Sequence, residues 1–183
     1  MPKQSFANIS CSIARAVDVV GQRWTPLILR DLFAGMTRFE DIRRDLGIAS
    51  NVLAVRLEDL EGHCVVQRRQ YQLMPVRHEY VLTDKGRDLY PVIATLLAWG
   101  DKWLAGTDGP PALTLHADCG HVTTAKTVCA ECGGELNAAN ATHAAGPGAK
   151  PGPGTTLIGD YMSVRRNVLE VLTSNDDRNA GSE

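Results

Sequence analysis

The chain has 183 residues, of which 44% are hydrophobic and 22% are charged, and its formal net charge is −2. This composition is typical of a globular protein with one sizeable core, or of one domain with an appendage. The sequence has no apolar run of about eighteen residues, which argues against a transmembrane helix, and its first residues lack the apolar core of a signal peptide. We therefore expect a cytoplasmic protein without membrane contact, in which free or metal-bound thiols are more common than disulfides.

The charges are unevenly distributed along the chain. Residues 1–105 contain 14 Lys or Arg and 12 Asp or Glu, whereas residues 106–183 contain 5 and 9. The first part is therefore mildly basic and the remainder is acidic. A modest positive balance supports nucleic-acid binding only if the arginines cluster in space.

The first third of the chain predicts a series of short amphipathic helices. Their expected ranges are 11–21, 25–33, 39–46 and 48–61. Pro26 falls in the first turn of the second helix, where its missing N–H costs nothing, and Gly47 separates the third helix from the fourth. The expected buried residues are Leu27, Ile28 and Leu32 in the second helix and Leu53, Leu57 and Leu60 in the fourth.

The hydrophobic period changes after Gly62. The runs VVQRRQY and EYVL are β-rich and flank the loop LMPVRH, which predicts a hairpin with a basic tip. Thr83 is the expected cap of a long helix over residues 84–105, with Pro91 either bending it or lying in its first turns. The apolar face of this helix is too broad for one small domain to cover.

Two helices joined at Gly47 and followed by a hairpin predict a winged helix-turn-helix, which is a mainly α fold with a small β wing. Helix 48–61 would enter the major groove of DNA, and basic residues around it would neutralise phosphates. The predicted DNA-binding residues are Arg43, Arg44, Ser50, Asn51, Ala54, Val55, Arg56, Arg68, Arg69, Arg77 and His78. For any single arginine the alternative is a solvated helix face, because six acidic residues are interspersed among them.

Three segments resemble the HxlR family of MarR-like transcriptional regulators. They are CSIARAVDVVGQRWTPLILRDLF, TRFEDIRRDLGIASNVLAVRLEDLE and EYVLTDKGRDLYPVIATLLAWG, and the resemblance extends from about Cys11 to Trp103. It implies a homodimer that binds a pseudo-palindromic operator in double-stranded DNA, with the first helix and the long helix after LTDKG at the dimer interface. The sequence has no Gly-rich phosphate loop and no nucleophile with a recognisable base, so we expect no enzymatic activity.

Cys11 occupies a position where the resembled family often carries a cysteine, and the resemblance implies that it senses a thiol-reactive signal. A thiol near a helix N-terminus experiences the positive end of the helix dipole, which favours the thiolate. The alternative is a small buried residue in the dimer core. We expect a small-molecule or oxidant effector if the first interpretation holds.

A short pattern occurs twice after the predicted helices, as HADCGH at 116–121 and CAECGG at 129–134. Two ligands separated by two residues and followed by Gly are typical of zinc knuckles, so His116, Cys119, Cys129 and Cys132 would complete a tetrahedral zinc site. His121 is the alternative fourth ligand, but only His116 preserves the repeat. Unligated cysteines, or a redox-active Cys129–Cys132 dithiol, are the other interpretations.

The sequence thus predicts a winged helix-turn-helix DNA-binding and dimerisation domain at 1–106 and a zinc-ribbon-like appendage at 107–137. An Ala/Gly/Pro-rich tail with a C-terminal helix follows at 138–183. The leading hypothesis is an operator-binding regulator that responds to a thiol-reactive signal or a small ligand. The alternatives are a thiol-redox protein that uses Cys129 and Cys132, and a zinc-bearing interaction protein without a DNA target.

Overall fold

The computed structural model describes residues 5–162 and 164. These residues form two compact units: one comprises the described parts of Met1–Asp18 and Thr127–Glu183, and the other is Val19–Lys126. None of the helices in the described ranges is long and apolar enough to cross a membrane.

Helices dominate the chain up to Leu104, and the strands are short. The elements are α1 Ser12–Val20, α2 Thr25–Phe33, α3 Phe39–Leu46, α4 Ser50–Gly62, β1 Val66–Gln72, β2 Arg77–Leu82, α5 Asp84–Arg87, α6 Tyr90–Leu104, β3 Thr114–Leu115 and β4 Val122–Thr123. The order of four helices, of which α3 and α4 form the helix-turn-helix, followed by a hairpin matches the predicted winged fold. The predicted C-terminal helix is helical at residues 158–162 and 164, and its remainder lies outside the described residues.

The core of Val19–Lys126 is formed by α2, α3, α4 and the start of the wing. Its buried apolar residues are Ile28, Leu29, Leu32, Ile42, Ile48, Leu53, Leu57, Leu60, Val65 and Val66. The predicted inward face of α4 is confirmed. In α2 the prediction of Leu27 was wrong, because Leu27 remains 38% exposed. The buried residues of this helix are Thr25, Ile28, Leu29, Asp31 and Leu32.

The predicted long helix is divided into the short α5 and the longer α6. Pro91 lies in the first turn of α6, where its ring is tolerated. Thr83 caps α5 as predicted, because its Oγ1 accepts a hydrogen bond of 3.1 Å from the Gly86 N–H. A Cβ at Gly86 would lie 2.1 Å from the Val65 carbonyl oxygen, so only glycine allows α5 to approach the backbone this closely.

The wing is an antiparallel hairpin in which Arg68 lies opposite Tyr80 and Arg69 lies opposite Glu79. The residues just before α3 extend this sheet. The Tyr80 N–H donates to the Thr37 carbonyl at 2.7 Å, and the backbones of Arg38 and Glu79 pair in an isolated antiparallel β-bridge. The wing is thereby attached to the first helix of the helix-turn-helix.

Helix α6 has no buried residue. Its exposed large apolar residues are Tyr90, Val92, Leu96, Leu97, Trp99, Trp103 and Leu104. Trp99 and Trp103 are 55% and 64% exposed. The broad uncovered apolar face that the sequence predicted for this helix is therefore present.

Candidate nucleic-acid interface and cysteine turns

Helices α3 and α4 meet at Gly47, which adopts the left-handed conformation with φ of 59°. Helix α4 buries Leu53 and Leu57 against the core. Its opposite face places four of the predicted contact residues in solvent: Ser50, Asn51, Ala54 and Val55. The helix-turn-helix thus presents a coherent exposed surface at the start of α4.

Arg56 differs from its neighbours on α4. Its side chain is only 19% exposed, and its Nη1 lies 2.9 Å from Asp59 Oδ2 one turn further on. The predicted role of Arg56 in DNA binding stays a prediction, and the structure places its guanidinium among intramolecular contacts.

The two predicted arginines on α3 have different surroundings. Arg43 Nε donates to Glu40 Oε2 at 2.9 Å, so its charge is largely compensated. Arg44 is exposed and has no ion-pair partner within residues 5–162 and 164. Of the two, Arg44 is better suited to contact a phosphate.

A buried carboxylate that sequence reasoning missed lies beside the helix-turn-helix. Asp31 on α2 is 1% exposed and accepts hydrogen bonds of 2.9 and 2.7 Å from Arg30, which also reaches Asp45 on α3 at 2.8 Å. Burial raises the pKa of Asp31, and the hydrogen bonds from Arg30 oppose that shift. This cluster connects α2 to α3, but nothing in the spacing of its members signals it.

On the wing, Arg69 is held by Glu79. Its Nε and Nη2 donate to Glu79 Oε1 at 3.0 and 2.8 Å, and Thr37 Oγ1 donates to Glu79 Oε2 at 2.7 Å. The Thr37 hydrogen bond, followed by those from Arg69, holds the pKa of Glu79 below its ordinary value. This network fixes the wing to the segment before α3.

The other predicted DNA-binding residues of the wing are Arg68, Arg77 and His78. Arg68 and Arg77 are exposed and have no ion-pair partner in the part of the chain that the structure describes, whereas His78 is half-buried. Arg38, which sequence reasoning did not select, places its guanidinium 4.9 Å from the ring centre of Tyr71. Arg38, Arg77 and His78 line the same cavity between the wing and the start of α3.

Cys11 lies immediately before α1 and is half-buried. It lines a cavity of about 650 Å³ together with His143, Lys150 and Met162. Ser10 Oγ donates to the Gly148 carbonyl at 3.0 Å, which fixes the residue before Cys11 against the wall of this cavity. All five cysteines are free thiols.

Residues 116–121 form a tight turn, here named the first knuckle, between β3 and β4. The His116 N–H donates to the His121 carbonyl at 3.0 Å, and the Gly120 N–H donates to the His116 carbonyl at 2.7 Å. His116 Nδ1 lies 3.3 Å from Cys119 Sγ. The turn therefore brings an imidazole nitrogen and a thiol together, and His121 contributes its carbonyl.

Residues 129–134 form a second tight turn, here named the second knuckle. The Cys129 N–H donates to the Gly134 carbonyl at 2.8 Å, and the Gly133 N–H donates to the Cys129 carbonyl at 2.9 Å. The backbone N–H of Cys132, followed by that of Glu131, points at the Cys129 sulfur and lowers the pKa of this thiol. Within residues 5–162 and 164, no group of three or more His, Cys, Asp or Glu side chains is arranged to hold a metal ion.

A helix-turn-helix with an exposed second helix, followed by a hairpin on which Arg68 and Arg77 have no ion-pair partner among the described residues, defines a winged helix-turn-helix DNA-binding protein. A family model for the HxlR-like helix-turn-helix matches residues 19–108. The uncharacterised HTH-type transcriptional regulator Rv3095 of Mycobacterium tuberculosis is 43% identical over 139 residues, which cover 76% of this chain and 88% of the relative. The chain belongs to the HxlR family of transcriptional regulators.

Solved structures agree with this assignment. The crystal structure of PA1607, described as a candidate transcription factor, superposes with a TM-score of 0.70 at 35% identity and covers 77% of this chain and 99% of that one. PA1374 from Pseudomonas aeruginosa, described in the same way, gives a TM-score of 0.54 at 33% identity, with 76% and 95% covered. Both likenesses extend beyond the residues that the family model matches.

Proposed function

We propose that this HxlR-type regulator binds, as a homodimer, a pseudo-palindromic operator in double-stranded DNA. The observation that carries this proposal is the solvent-exposed face at the start of α4, opposite the buried Leu53 and Leu57. A helix with this disposition fits the major groove, where its first residues reach base edges.

The contacts divide by chemistry. The amide of Asn51 can pair with the edge of an adenine, and Val55 offers an apolar contact to a thymine methyl group. Arg44, Arg68 and Arg77 are exposed and would neutralise phosphates, which sets affinity and position more than sequence preference. Asn51 and Val55 are thus proposed as the source of specificity.

Helix α6 is proposed as the dimer interface. It exposes both of its tryptophans and several leucines in the single chain, and an apolar surface of this kind is typical of a subunit interface. Pairing two copies about a two-fold axis would present two α4 helices to successive turns of the major groove.

The test is an electrophoretic mobility shift with the DNA upstream of the gene that encodes this protein, using the reduced full chain. We expect binding about a thousandfold tighter than to scrambled DNA of the same length, with affinity falling steeply as salt rises. Equal affinity for the two DNAs would overturn sequence-specific operator binding. The absence of any shift would instead favour an interaction protein without a DNA target.

Cys11 is proposed as the residue through which a thiol-reactive signal acts. Support comes from its position before α1 and in the wall of a cavity of about 650 Å³, which is large enough for a small organic molecule. Treatment with diamide or a small unsaturated aldehyde should abolish the mobility shift of the wild type but spare the Cys11→Ser variant. Loss of the shift in both proteins would exclude Cys11 as the sensor.

The regulator is further proposed to carry a zinc-ribbon-like appendage over residues 107–137. The two knuckles support this proposal, because each combines metal-type donors with the tight turn that such segments use. The segment lies mostly outside the residues matched by the family model, so it is an addition to the regulator core.

A further inference from the structure

The wing tip, defined here as the four residues between β1 and β2, is entirely apolar. It consists of Leu73, Met74, Pro75 and Val76, and the side chains of Leu73, Met74 and Val76 are 78%, 89% and 60% exposed. The sequence predicted a basic tip, but Arg77 is the first residue of β2 and lies behind the loop. Hairpin loops normally consist of polar residues and glycine, so an apolar loop indicates a surface that a partner covers.

Two glutamine side chains hold the backbone of the wing tip. Gln70 Nε2 donates to the Gln72 carbonyl at 3.1 Å, and Gln72 Nε2 donates to the Met74 carbonyl at 2.8 Å. The strand pairing is irregular between the same two glutamines, where β1 contains one residue more than β2. The wing tip therefore has a defined shape before it meets a partner, so less conformational entropy is lost when it binds.

The wing around this tip carries uncompensated positive charge. No Asp or Glu occurs between Val66 and His78. The acidic residue of β2, Glu79, is engaged by the hydrogen bonds described above. Arg68 and Arg77 are exposed and have no ion-pair partner among the described residues. A polyanion can therefore approach the wing tip without repulsion from an unpaired carboxylate of the wing.

The wing is fixed to the helix-turn-helix through the hydrogen bond from the Tyr80 N–H to the Thr37 carbonyl, just before α3. The major groove of DNA is bordered by the minor groove, so a wing beside a helix in the major groove meets the minor groove. The minor groove is about 6 Å wide, which admits single side chains but not a pair of strands. Only the side chains of the wing tip could therefore enter it.

We propose that the wing tip is an apolar wedge, and that Leu73 and Met74 enter the minor groove beside each half-site and bend the operator. This inference rests on the proposed operator binding. Apolar side chains inserted between base pairs unstack them and kink the duplex by about 20–90°. A pyrimidine–purine step such as TA is the easiest to unstack, so the wing would select deformable DNA at positions that α4 does not contact.

A protein partner accounts for less of what is observed. A second copy docked on the wing tip would have to supply carboxylates for Arg68 and Arg77, whereas DNA covers the tip and pairs with both arginines at once. Four loop residues also offer less surface than a stable protein interface requires, which is about 800 Å² on each partner. The combination of an apolar tip with unpaired arginines therefore favours DNA.

The experiment measures energy transfer between dyes at the two ends of an operator duplex defined by footprinting, with the reduced full-length chain. A series of duplexes places a TA or a GC step at successive positions that flank the footprint. We expect the wild type to bend the duplex by at least about 20° and to bind the best TA duplex about tenfold tighter than its GC counterpart. The Leu73→Ser/Met74→Ser double variant should lose both the bend and this preference.

Three comparisons make the result specific to the wedge. The double variant should keep the wild-type salt slope, because it removes no phosphate contact. Arg77→Ala should show the reverse pattern, with a smaller slope and an intact TA preference. Leu113→Ser replaces a leucine that is 64% exposed outside the wing, and it should behave as the wild type does. Circular dichroism checks that all variants fold, which the exposure of the wing tip leads us to expect.

Two results would overturn the wedge alone: a specific wild-type complex in which the duplex stays straight, or a double variant that retains the bend and the TA preference. Light scattering that shows wild-type assemblies larger than a dimer, absent in the double variant, would assign the wing tip to a second copy instead. A wild type that binds the operator no better than scrambled DNA would refute operator binding, and the wedge with it.

Discussion

Arg69 on β1 donates two hydrogen bonds, of 3.0 and 2.8 Å, to a single carboxylate oxygen of Glu79 directly across the wing. This pairing compensates the charge of Arg69, whereas Arg77 has no ion-pair partner among the described residues. We predict that Arg77→Ala weakens binding on all DNA sequences and reduces the salt slope of the binding constant by about 1. Arg69→Ala should reduce the slope by clearly less.

Fluorescence anisotropy at several salt concentrations measures both slopes with the same labelled DNA. Equal reductions in the two variants would mean that the Arg69–Glu79 pair opens when DNA binds. No reduction in Arg77→Ala would remove Arg77 from the phosphate contacts.

Asn51 should determine sequence preference rather than overall affinity. Replacing it with Ala removes an amide that can pair with a base edge, so binding to the operator should fall about tenfold to a hundredfold, while binding to scrambled DNA changes little. Glu58, which is exposed further along α4, provides the control, and Glu58→Ala should leave the preference unchanged. A parallel loss on both DNAs would assign Asn51 to the phosphate backbone instead.

Trp99 is 55% exposed on α6. We predict that Trp99→Glu converts the proposed dimer to a monomer, because burying an unpaired charge in the proposed interface is strongly unfavourable. Light scattering coupled to gel filtration reports the mass directly. Thr107→Glu introduces the same charge at an exposed residue after α6 and should remain dimeric. A dimeric Trp99→Glu variant with unchanged operator binding would place the interface elsewhere.

Gly86→Ala should destabilise the protein by roughly 1–3 kcal/mol, because the new Cβ would lie 2.1 Å from the Val65 carbonyl oxygen and force α5 away from it. Gly62→Ala is the matched control, since a Cβ there meets nothing within 4 Å. It should be neutral or stabilising by up to about 1 kcal/mol. Thermal unfolding followed by circular dichroism compares the two, and equal midpoints would contradict the close packing of α5.

Glu79 should make the stability of the protein depend on acidity. Hydrogen bonds from Thr37 and Arg69 lower its pKa below 4.5 in the folded state. The stabilisation that ionised Glu79 gives the folded state is therefore fully present above the unfolded-state pKa, and it is lost as the pH falls through the lower folded-state pKa. Urea unfolding should show that the free energy of unfolding of the wild type exceeds that of Glu79→Gln at neutral pH, and that this difference shrinks as the pH falls. A difference that stays constant or grows in acid would contradict this origin.

Local patterns predicted the elements of the winged domain well. The spacing of Leu53, Leu57 and Leu60 fixed the inward face of α4, and that inward face left Asn51 and Val55 exposed. The hairpin followed from a change of period after Gly62, and both knuckles followed from a six-residue repeat. These features depend on residues that are close in the sequence, so helical or turn geometry alone determines them.

Features that depend on contacts between residues distant in the chain could not be predicted from the sequence. The compensation of Arg69 requires the wing register that places Glu79 opposite it, and the contact of Thr37 with Glu79 joins segments 42 positions apart. The cavity beside Cys11 requires residues 143–162 to come close to the N-terminal segment. Hydrophobic periodicity carries no information on contacts between distant segments. The sequence therefore could not distinguish the arginines that are paired with a carboxylate from those that are not.

Helix α6, with no buried residue in the single chain, has a thermodynamic consequence. In the proposed dimer a second copy covers this helix and adds an association term to the free energy of folding, so the folded fraction would obey mass action. The thermal midpoint should then rise with protein concentration. A cell that holds few copies of this regulator would also lose them faster to proteases, which act on unfolded chains. Dimerisation through α6 would thereby couple the abundance of the protein to its lifetime.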